Sequence, residues 1–149
     1  MSKPNLVLTV QKSEIWQELP TKNDIRRWIK GSLLEDAQVT VRLINVDEGR
    51  ELNRYFRNRN YATNVLTFPY PDTLPISADI ALCIPVIAGE AKTQHKSLHN
   101  HFAHLCVHAA LHFQDFDHQN KIDRELMENL EIDILEKMGI PNPYEQTIA

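Results

Sequence analysis

The sequence has 149 residues, of which 42% are hydrophobic and 24% charged, with four glycines and a formal net charge of −4. This composition is typical of a folded globular protein and excludes a disordered or collagen-like chain. The net charge excludes a surface that is basic throughout. The longest apolar run, Ile80 to Ala88, is about half of a membrane span, and the amino terminus lacks the apolar core of a signal peptide. We therefore expect a cytoplasmic protein with no membrane partner.

The first third of the chain predicts a strand, a helix, a second strand and a second helix. Asn5 to Val10 alternates apolar and polar residues, which favours a strand, and Thr21 is placed to cap a helix. Gln38 to Val46 is rich in β-branched residues and predicts the next strand. Asp47 would then cap a short helix that ends near Phe56.

The rest of the chain predicts two more strands and then only helices. The strands are Thr63 to Tyr70 and Ile76 to Ile84, and the helices are Pro85 to Ser97, Asn100 to Gln114 and Asp123 to Met138. This order predicts an α+β fold: a single domain over residues 1–149, in which a small four-stranded mixed sheet is covered by about five helices.

The two cysteines, Cys83 and Cys106, are far apart and form no C-x-x-C pair. Two cysteines are too few for a disulfide framework, which fits a reducing compartment. We expect both to be packing residues of the core.

The histidines are clustered, since all seven lie between His95 and His118. His108 and His112 are four positions apart in a segment with helical periodicity, so their rings should lie on one helix face about 6 Å apart along the axis. Asp115 interrupts the apolar pattern and tolerates a left-handed conformation, so the chain can turn there and bring His118 back.

Three imidazoles in the pattern H-x-x-x-H-x-x-x-x-x-H predict one bound metal ion per chain, with zinc as the first choice. Three ligands leave a fourth tetrahedral position for water, whose pKa zinc lowers toward ~7, so the pattern favours a catalytic metal over a structural one. Nickel, copper and iron also accept imidazole ligands. A solvated helix face rich in histidine is the alternative.

Other polar residues near this cluster could act beside the metal ligands. His104 lies one turn before His108 and roughly 12 Å along the axis from His112, which is too far for both to bind one zinc ion. We assign His104 to a contact with substrate or with one of the metal-binding histidines. Asp117 could orient a ligand imidazole or accept a proton from the bound water, although it could equally be an exposed turn residue. His95, His99 and His101 are expected at the surface.

The spacing of the three histidines also occurs in metzincin proteases, in which a glutamate after the first histidine is the general base. In this sequence that position is Ala109, which cannot move a proton, and Asp115 stands where the protease motif has glycine. A protease is therefore disfavoured.

A local basic segment suggests another reaction. Arg50, Arg54, Arg57 and Arg59 lie close together with one acid, Glu51. Taken alone they could form a solvated helix face. Beside a metal, Arg57 or Arg59 could bind a phosphate through two hydrogen bonds and neutralise the charge that develops during phosphodiester cleavage, as a nuclease requires.

Two blocks of the sequence, His108 to His118 and Leu52 to Pro69, and the short stretch Ala78-Asp79-Ile80 match the motifs of one known family. In these three places the sequence resembles the YbeY endoribonucleases, which are bacterial rRNA maturation factors. The stretch H-A-A-L-H-F-Q-D-F-D-H, from His108 to His118, resembles the family signature H-G-x-L-H-L-x-G-Y-D-H. The stretch L-N-R-Y-F-R-N-R-N-Y-A-T-N-V-L-T-F-P, from Leu52 to Pro69, resembles L-N-x-x-Y-R-x-K-D-x-x-T-D/N-V-L-S-F-P, and Ala78-Asp79-Ile80 resembles G-D-I/L.

The resemblance implies zinc ligands at His108, His112 and His118, and a functional arginine at Arg57, with Arg59 left as a substrate contact. It implies a single-strand-selective RNase that acts in 16S rRNA 3′-end maturation and late ribosome quality control, with single-stranded RNA and ribosomal components as partners and no DNA. The departures from the family pattern are Ala109 and Asp115 in place of glycines, and Phe56 and Phe116 in place of tyrosines.

Two alternatives to a metal-dependent endoribonuclease stay open at this point. A noncatalytic ribosome-assembly factor could use the same histidines to hold a structural metal. A metalloprotease would have to cleave peptides without a glutamate at position 109.

Overall fold

The computed structural model describes residues 3–116 and 120–145. These residues form four strands and five helices, as the sequence predicts, in an α+β fold. In chain order the elements are β1 (Leu6–Lys12), α1 (Lys22–Lys30), β2 (Ala37–Ile44), α2 (Val46–Arg57), β3 (Val65–Tyr70), β4 (Ile76–Cys83), α3 (Ile84–Thr93), α4 (Leu98–Phe113) and α5 (Lys121–Lys137).

The four strands form one mixed sheet with the order β1-β2-β4-β3. β1 pairs with β2 and β2 with β4 in parallel, whereas β3 runs antiparallel to β4. β3 is therefore an edge strand, and one of its sides is available to shape a site.

The two faces of the sheet pack against different helices. Because successive side chains of a strand point to opposite faces, Val39, Val41 and Leu43 join the main core with α4. Ile44 instead joins a smaller buried cluster on the other face, which also contains Leu66 from β3, Ala81 and Cys83 from β4, and partly buried Leu52 from α2. The sheet thus separates α2 from the helical layer that contains α4.

The caps of two helices test the predicted helix starts. Thr21 caps α1 as predicted, and it forms a reciprocal capping box with Asp24. The prediction that Asp47 caps α2 is wrong: the Asn45 side chain accepts from Glu48 N at 2.9 Å, and Asp47 lies in the first turn. Asp47 is favourable there because a carboxylate near a helix N-terminus interacts well with the helix dipole.

A second difference concerns the junction between α3 and α4. The predicted helix from Pro85 to Ser97 ends at Thr93, and Ser97 instead caps α4 by accepting from Asn100 N at 3.0 Å. His95, between the two helices, has a φ of 56°, which a continuous helix cannot include.

The carboxyl end of α4 turns as the sequence predicts. Asp115 has a φ of 73°, in the left-handed region. The amide of Asp115 donates to His112 O and the amide of Phe116 to Leu111 O, both at 3.1 Å. This pair of bonds is a Schellman motif, which ends a helix sharply.

The predictions for the cysteines are confirmed, since Cys83 and Cys106 are both unpaired and buried. Burial raises the pKa of both thiols, so they remain protonated packing residues. Within the described part of the chain, no helix has the length and apolar character needed to cross a membrane.

Candidate active site

A cavity of about 500 Å³ at the β3 edge of the sheet is lined by residues of α2, β3 and α4. The loop between α2 and β3 closes one side of it. The lining residues are Asn53, Arg57, Arg59, Tyr61, Thr63, Asn64, Val65, Leu66, Thr67, His108 and His112.

The helix α4 brings two of the three predicted metal ligands into this cavity. The rings of His108 and His112 lie on adjacent turns, with centroids 6.4 Å apart. Ala109, by contrast, is buried in the core. An alanine has no group that can accept a proton, so this position supplies no protease-type general base.

His108 is anchored from behind by a residue that sequence analysis did not single out, Glu131 of α5. The Nδ1 atom of His108 lies 3.0 Å from Glu131 Oε2. The other carboxylate oxygen, Oε1, is 2.7 Å from His104 Nε2 and accepts from the Tyr144 hydroxyl at 2.6 Å. Glu131 itself is fully buried.

The charge of Glu131 determines which protons its neighbours carry. Burial alone would raise the pKa of Glu131, but the hydrogen bonds from His104, His108 and Tyr144 outweigh burial and hold that pKa at about 2. The side chain is therefore a carboxylate at neutral pH and can only accept hydrogen bonds. Burial and this carboxylate raise the pKa of Tyr144, so its hydroxyl keeps the proton that it donates.

It follows that a neutral His108 carries its proton on Nδ1, which donates to Glu131, and presents the lone pair of Nε2. An imidazole held by a carboxylate in this tautomer is the usual form of a metal-binding histidine. In the same way His104 donates from Nε2 to Glu131. Its buried Nδ1 is then unprotonated, so no N–H group is buried there without an acceptor.

A signal for Glu131 exists in the sequence. It lies on the buried stripe of α5 between Met127 and Leu135, four positions from each. A charged residue in such a stripe is rarely buried without partners. The sequence alone could not tell that those partners are histidines of α4.

Both arginines with assigned roles, Arg57 and Arg59, line the cavity together with His108 and His112. Arg57 is the last residue of α2, and Asn58 after it has a φ of 55°. The loop is held by the buried side chain of Asn53, whose Nδ2 donates to Tyr61 O at 2.7 Å. Two arginines and two histidines therefore line one cavity.

The remaining histidine assignments have mixed outcomes. His95 and His99 are exposed as predicted. The prediction that His101 is a surface residue is wrong: it is 3% exposed, and its Nε2 lies 2.9 Å from Glu90 Oε1, because this face of α4 packs against α3. His104 does not line the cavity but contacts Glu131 and Tyr144, so its direct contact with substrate stays a prediction.

Two predicted site residues, Asp117 and His118, lie outside the described residues. Among residues 3–116 and 120–145, no group of three His, Cys, Asp or Glu side chains is arranged to hold a metal ion. The donor chemistry nevertheless fits an ion such as zinc, because two imidazoles share one cavity and a buried carboxylate fixes the tautomer of one of them.

The fold and the cavity define an α+β protein with a histidine-arginine site at the edge of its sheet. The family profile described as Endoribonuclease YbeY matches residues 8–139. A relative from Aromatoleum aromaticum, named Endoribonuclease YbeY, is 49% identical over an alignment of 142 residues, and the match covers 93% of this chain and 92% of that protein. A relative from Paraburkholderia phymatum with the same name is 45% identical over 149 residues, covering 95% of this chain and 97% of that protein. The chain belongs to the YbeY family, as its two motif blocks indicate.

A solved structure shares the fold. The solution structure of a Thermotoga maritima protein has a TM-score of 0.58 and 22% identity, covering 89% of this chain and 92% of that chain. This likeness confirms the α+β architecture that was predicted from the order of the elements.

Proposed function

We propose that this protein is a metal-dependent endoribonuclease that hydrolyses phosphodiester bonds of single-stranded RNA. The observation that carries the proposal is the position of Arg57 and Arg59 in the same cavity as His108 and His112. Membership of the YbeY family supports RNA as the substrate class and hydrolysis as the reaction.

His108, His112 and His118 would hold the metal, for which zinc is our first choice. When bound, zinc supplies a Lewis acid and lowers the pKa of coordinated water toward ~7. Glu131 would keep His108 in the tautomer that coordinates through Nε2, and Asp117 would contribute an orienting carboxylate or a proton acceptor beside the site.

The two arginines would bind the scissile phosphate. A guanidinium group donates two parallel hydrogen bonds to phosphate oxygens and stays charged at all physiological pH values. Negative charge grows on those oxygens as the nucleophile attacks, so a donor fixed in place stabilises the transition state more than the ground state. Arg57 is better suited to this role than Arg59, because it belongs to α2 and its backbone is fixed by the helix.

The direct test compares RNA cleavage by zinc-loaded wild type, metal-stripped wild type and His112→Ala at measured metal content. We expect end-labelled single-stranded RNA to be cut by the zinc-loaded wild type only, and a matched duplex to resist. Zinc-loaded wild type that leaves both single-stranded RNA and ribosomal substrates intact would overturn the proposal. If zinc-loaded wild type does not cleave RNA and the metal-stripped protein unfolds, the metal is structural, as expected of a noncatalytic assembly factor.

We further propose that the physiological substrate is the 3′ end of 16S rRNA, that ribosomal subunit components are its partners, and that the protein works in the cytoplasm during late ribosome quality control. The implications of the YbeY resemblance support this step. Incubating precursor small subunits with wild type or Arg57→Ala and mapping the 16S 3′ ends tests it. Ends that are unchanged by active wild type would remove the maturation role while leaving the nuclease activity in place.

A further inference from the structure

The segment from Arg54 to Tyr61, which we call the rim segment, is exposed over its whole length. Its sequence, R-Y-F-R-N-R-N-Y, contains three arginines, three aromatic residues and two asparagines, without an acid. In a protein with a net charge of −4, eight consecutive exposed residues of this kind form a distinct positive and aromatic edge.

The backbone of the rim segment is fixed where it leaves α2. The amide of Asn58 donates to Arg54 O at 3.1 Å and that of Arg59 to Asn53 O at 3.3 Å. The side chain of Asn53 then holds Tyr61 O at 2.7 Å. A surface that is fixed before binding loses less conformational entropy when it takes a ligand.

The aromatic rings of the rim segment lie in two places. Tyr61, which is 55% exposed, lines the cavity with Arg57 and Arg59. Tyr55 and Phe56 are 82% and 54% exposed and pack edge to face, with centroids 4.8 Å apart. Phe56 also packs on Phe68 of β3, again at 4.8 Å, so this ring pair is supported by the sheet.

The charges of the rim segment are available to a ligand. Arg54, Arg57 and Arg59 make no ion pair with any carboxylate in the described part of the chain, whereas Arg50 one turn earlier pairs with Asp47 at 3.5 Å. Arginines beside exposed aromatic rings are the usual means of binding single-stranded nucleic acid, since phosphates pair with the cations and unpaired bases stack on the rings.

We propose that the rim segment is an extended binding surface for single-stranded RNA, on which Arg54 binds a phosphate outside the cavity and Tyr55 with Phe56 stacks on an unpaired base. The inference rests on the proposed endoribonuclease function and names the residues that would select for single strands. Bases of a duplex are already stacked on each other and cannot reach these rings, so a duplex would lose this contribution.

RNA is preferred over a protein partner because the surface is continuous with the cavity. Arg57 belongs to both the cavity and the rim segment. An RNA strand with a phosphate bound in the cavity must leave the cavity on one side or the other, and the rim segment forms one of these sides. Charge complementarity favours a polyanion at an edge that holds three arginines and no acid.

The test measures binding separately from cleavage. Zinc-loaded protein is titrated into a fluorescent single-stranded oligoribonucleotide and into a matched duplex, and anisotropy is read before the RNA is checked for integrity on a gel. Tyr55→Leu should bind the single strand roughly 5- to 100-fold more weakly, the range expected for one lost base stack, and Tyr55→Phe should bind like wild type. Leu126→Ala, an exposed apolar residue of α5, is the matched control and should have no effect.

The salt dependence of binding tests Arg54 in the same assay. Arg54→Ala should reduce the slope of log affinity against log salt concentration by about 0.7, the value for one lost contact to a single-strand phosphate, whereas Tyr55→Leu should leave the slope unchanged. Equal affinity of Tyr55→Leu and wild type for the single strand would overturn the proposal and assign the edge to another partner. Failure of wild type to cleave RNA would instead overturn the proposed function.

Discussion

The Nδ1 atom of His108 lies 3.0 Å from Oε2 of Glu131, a fully buried carboxylate on a different helix. The two residues are 23 positions apart in the sequence. Because the same carboxylate also receives hydrogen bonds from His104 and Tyr144, it fixes α4 and α5 relative to each other as well as the tautomer of His108. Stability and site geometry therefore depend on one side chain.

Replacing Glu131 with glutamine should weaken both properties. Glutamine has the size of glutamate, but its NH2 group would face one of the groups that now donate to Glu131. Two donors would then face each other, and one buried hydrogen bond would be lost. We expect the free energy of unfolding to fall by about 1–3 kcal/mol, and zinc affinity to fall roughly 10- to 100-fold as an orienting carboxylate is lost.

Urea unfolding and zinc competition against a chelating dye measure the two effects of Glu131→Gln. Glu125→Gln, an exposed change on the same helix, should alter neither. A folded Glu131→Gln protein with the zinc affinity of wild type would show that Glu131 does not position His108.

Arg57→Ala should separate metal binding from catalysis. Arg57 contributes positive charge to the cavity but no metal ligand, so zinc content and stability should match those of wild type. We expect the cleavage rate to fall by roughly 10²- to 10³-fold, as when one preorganised donor to a transition-state oxygen is removed.

Single-turnover cleavage with measured zinc content checks the Arg57 prediction. Arg57→Lys should recover only part of the rate, because lysine retains the charge but not the two parallel donors. Arg50→Ala, at an exposed position of the same helix, is the control. An Arg57→Ala rate equal to that of wild type would exclude its catalytic role.

His101 should make the protein less stable in mild acid. Burial lowers the pKa of His101 because it disfavours the imidazolium ion, although the hydrogen bond to Glu90 opposes this shift. The unfolded chain, in which the pKa of histidine is about 6.5, then takes up the proton first as the pH falls. The contribution of His101 to stability is therefore present above pH ~6.5, and it is lost as the pH falls through the lower pKa that His101 has in the folded state.

The measurement for His101 is the free energy of unfolding between pH 7 and pH 5. His101→Gln should reduce the loss of stability over this range compared with wild type. His95→Asn removes an exposed histidine and keeps a residue that tolerates a positive φ, so it should leave the slope unchanged. Equal slopes for wild type and His101→Gln would contradict this account.

Asp115→Gly should stabilise the protein slightly. Asp115 has a φ of 73° at the Schellman turn, where glycine avoids the strain of a Cβ atom. We expect a gain of up to about 1 kcal/mol for glycine and a loss of about 1 kcal/mol for Asp115→Ala, which retains the strain without a local hydrogen-bonding group. Thermal unfolding of the three proteins should give the order glycine, aspartate, alanine; alanine equal to glycine would contradict the explanation.

Local rules predicted most elements of the fold but not all of their ends. Alternation of apolar and polar residues identified the first two strands, and runs rich in strand-forming residues on either side of a proline-containing loop identified the other two. The cap of α2 was assigned to Asp47 instead of Asn45 because both residue types accept from a helix amide, and only the backbone shows which of them lies outside the first turn.

The sequence by itself determined that His108 and His112 share one face of a helix, because their spacing matches the helical repeat, and the motif blocks determined the family. Only the tertiary structure decided what meets that face: Arg57 from α2 on the cavity side and Glu131 from α5 behind His108. The physical reason is that local periodicity fixes which side chains point in one direction, whereas the partners of a buried face depend on how distant elements pack.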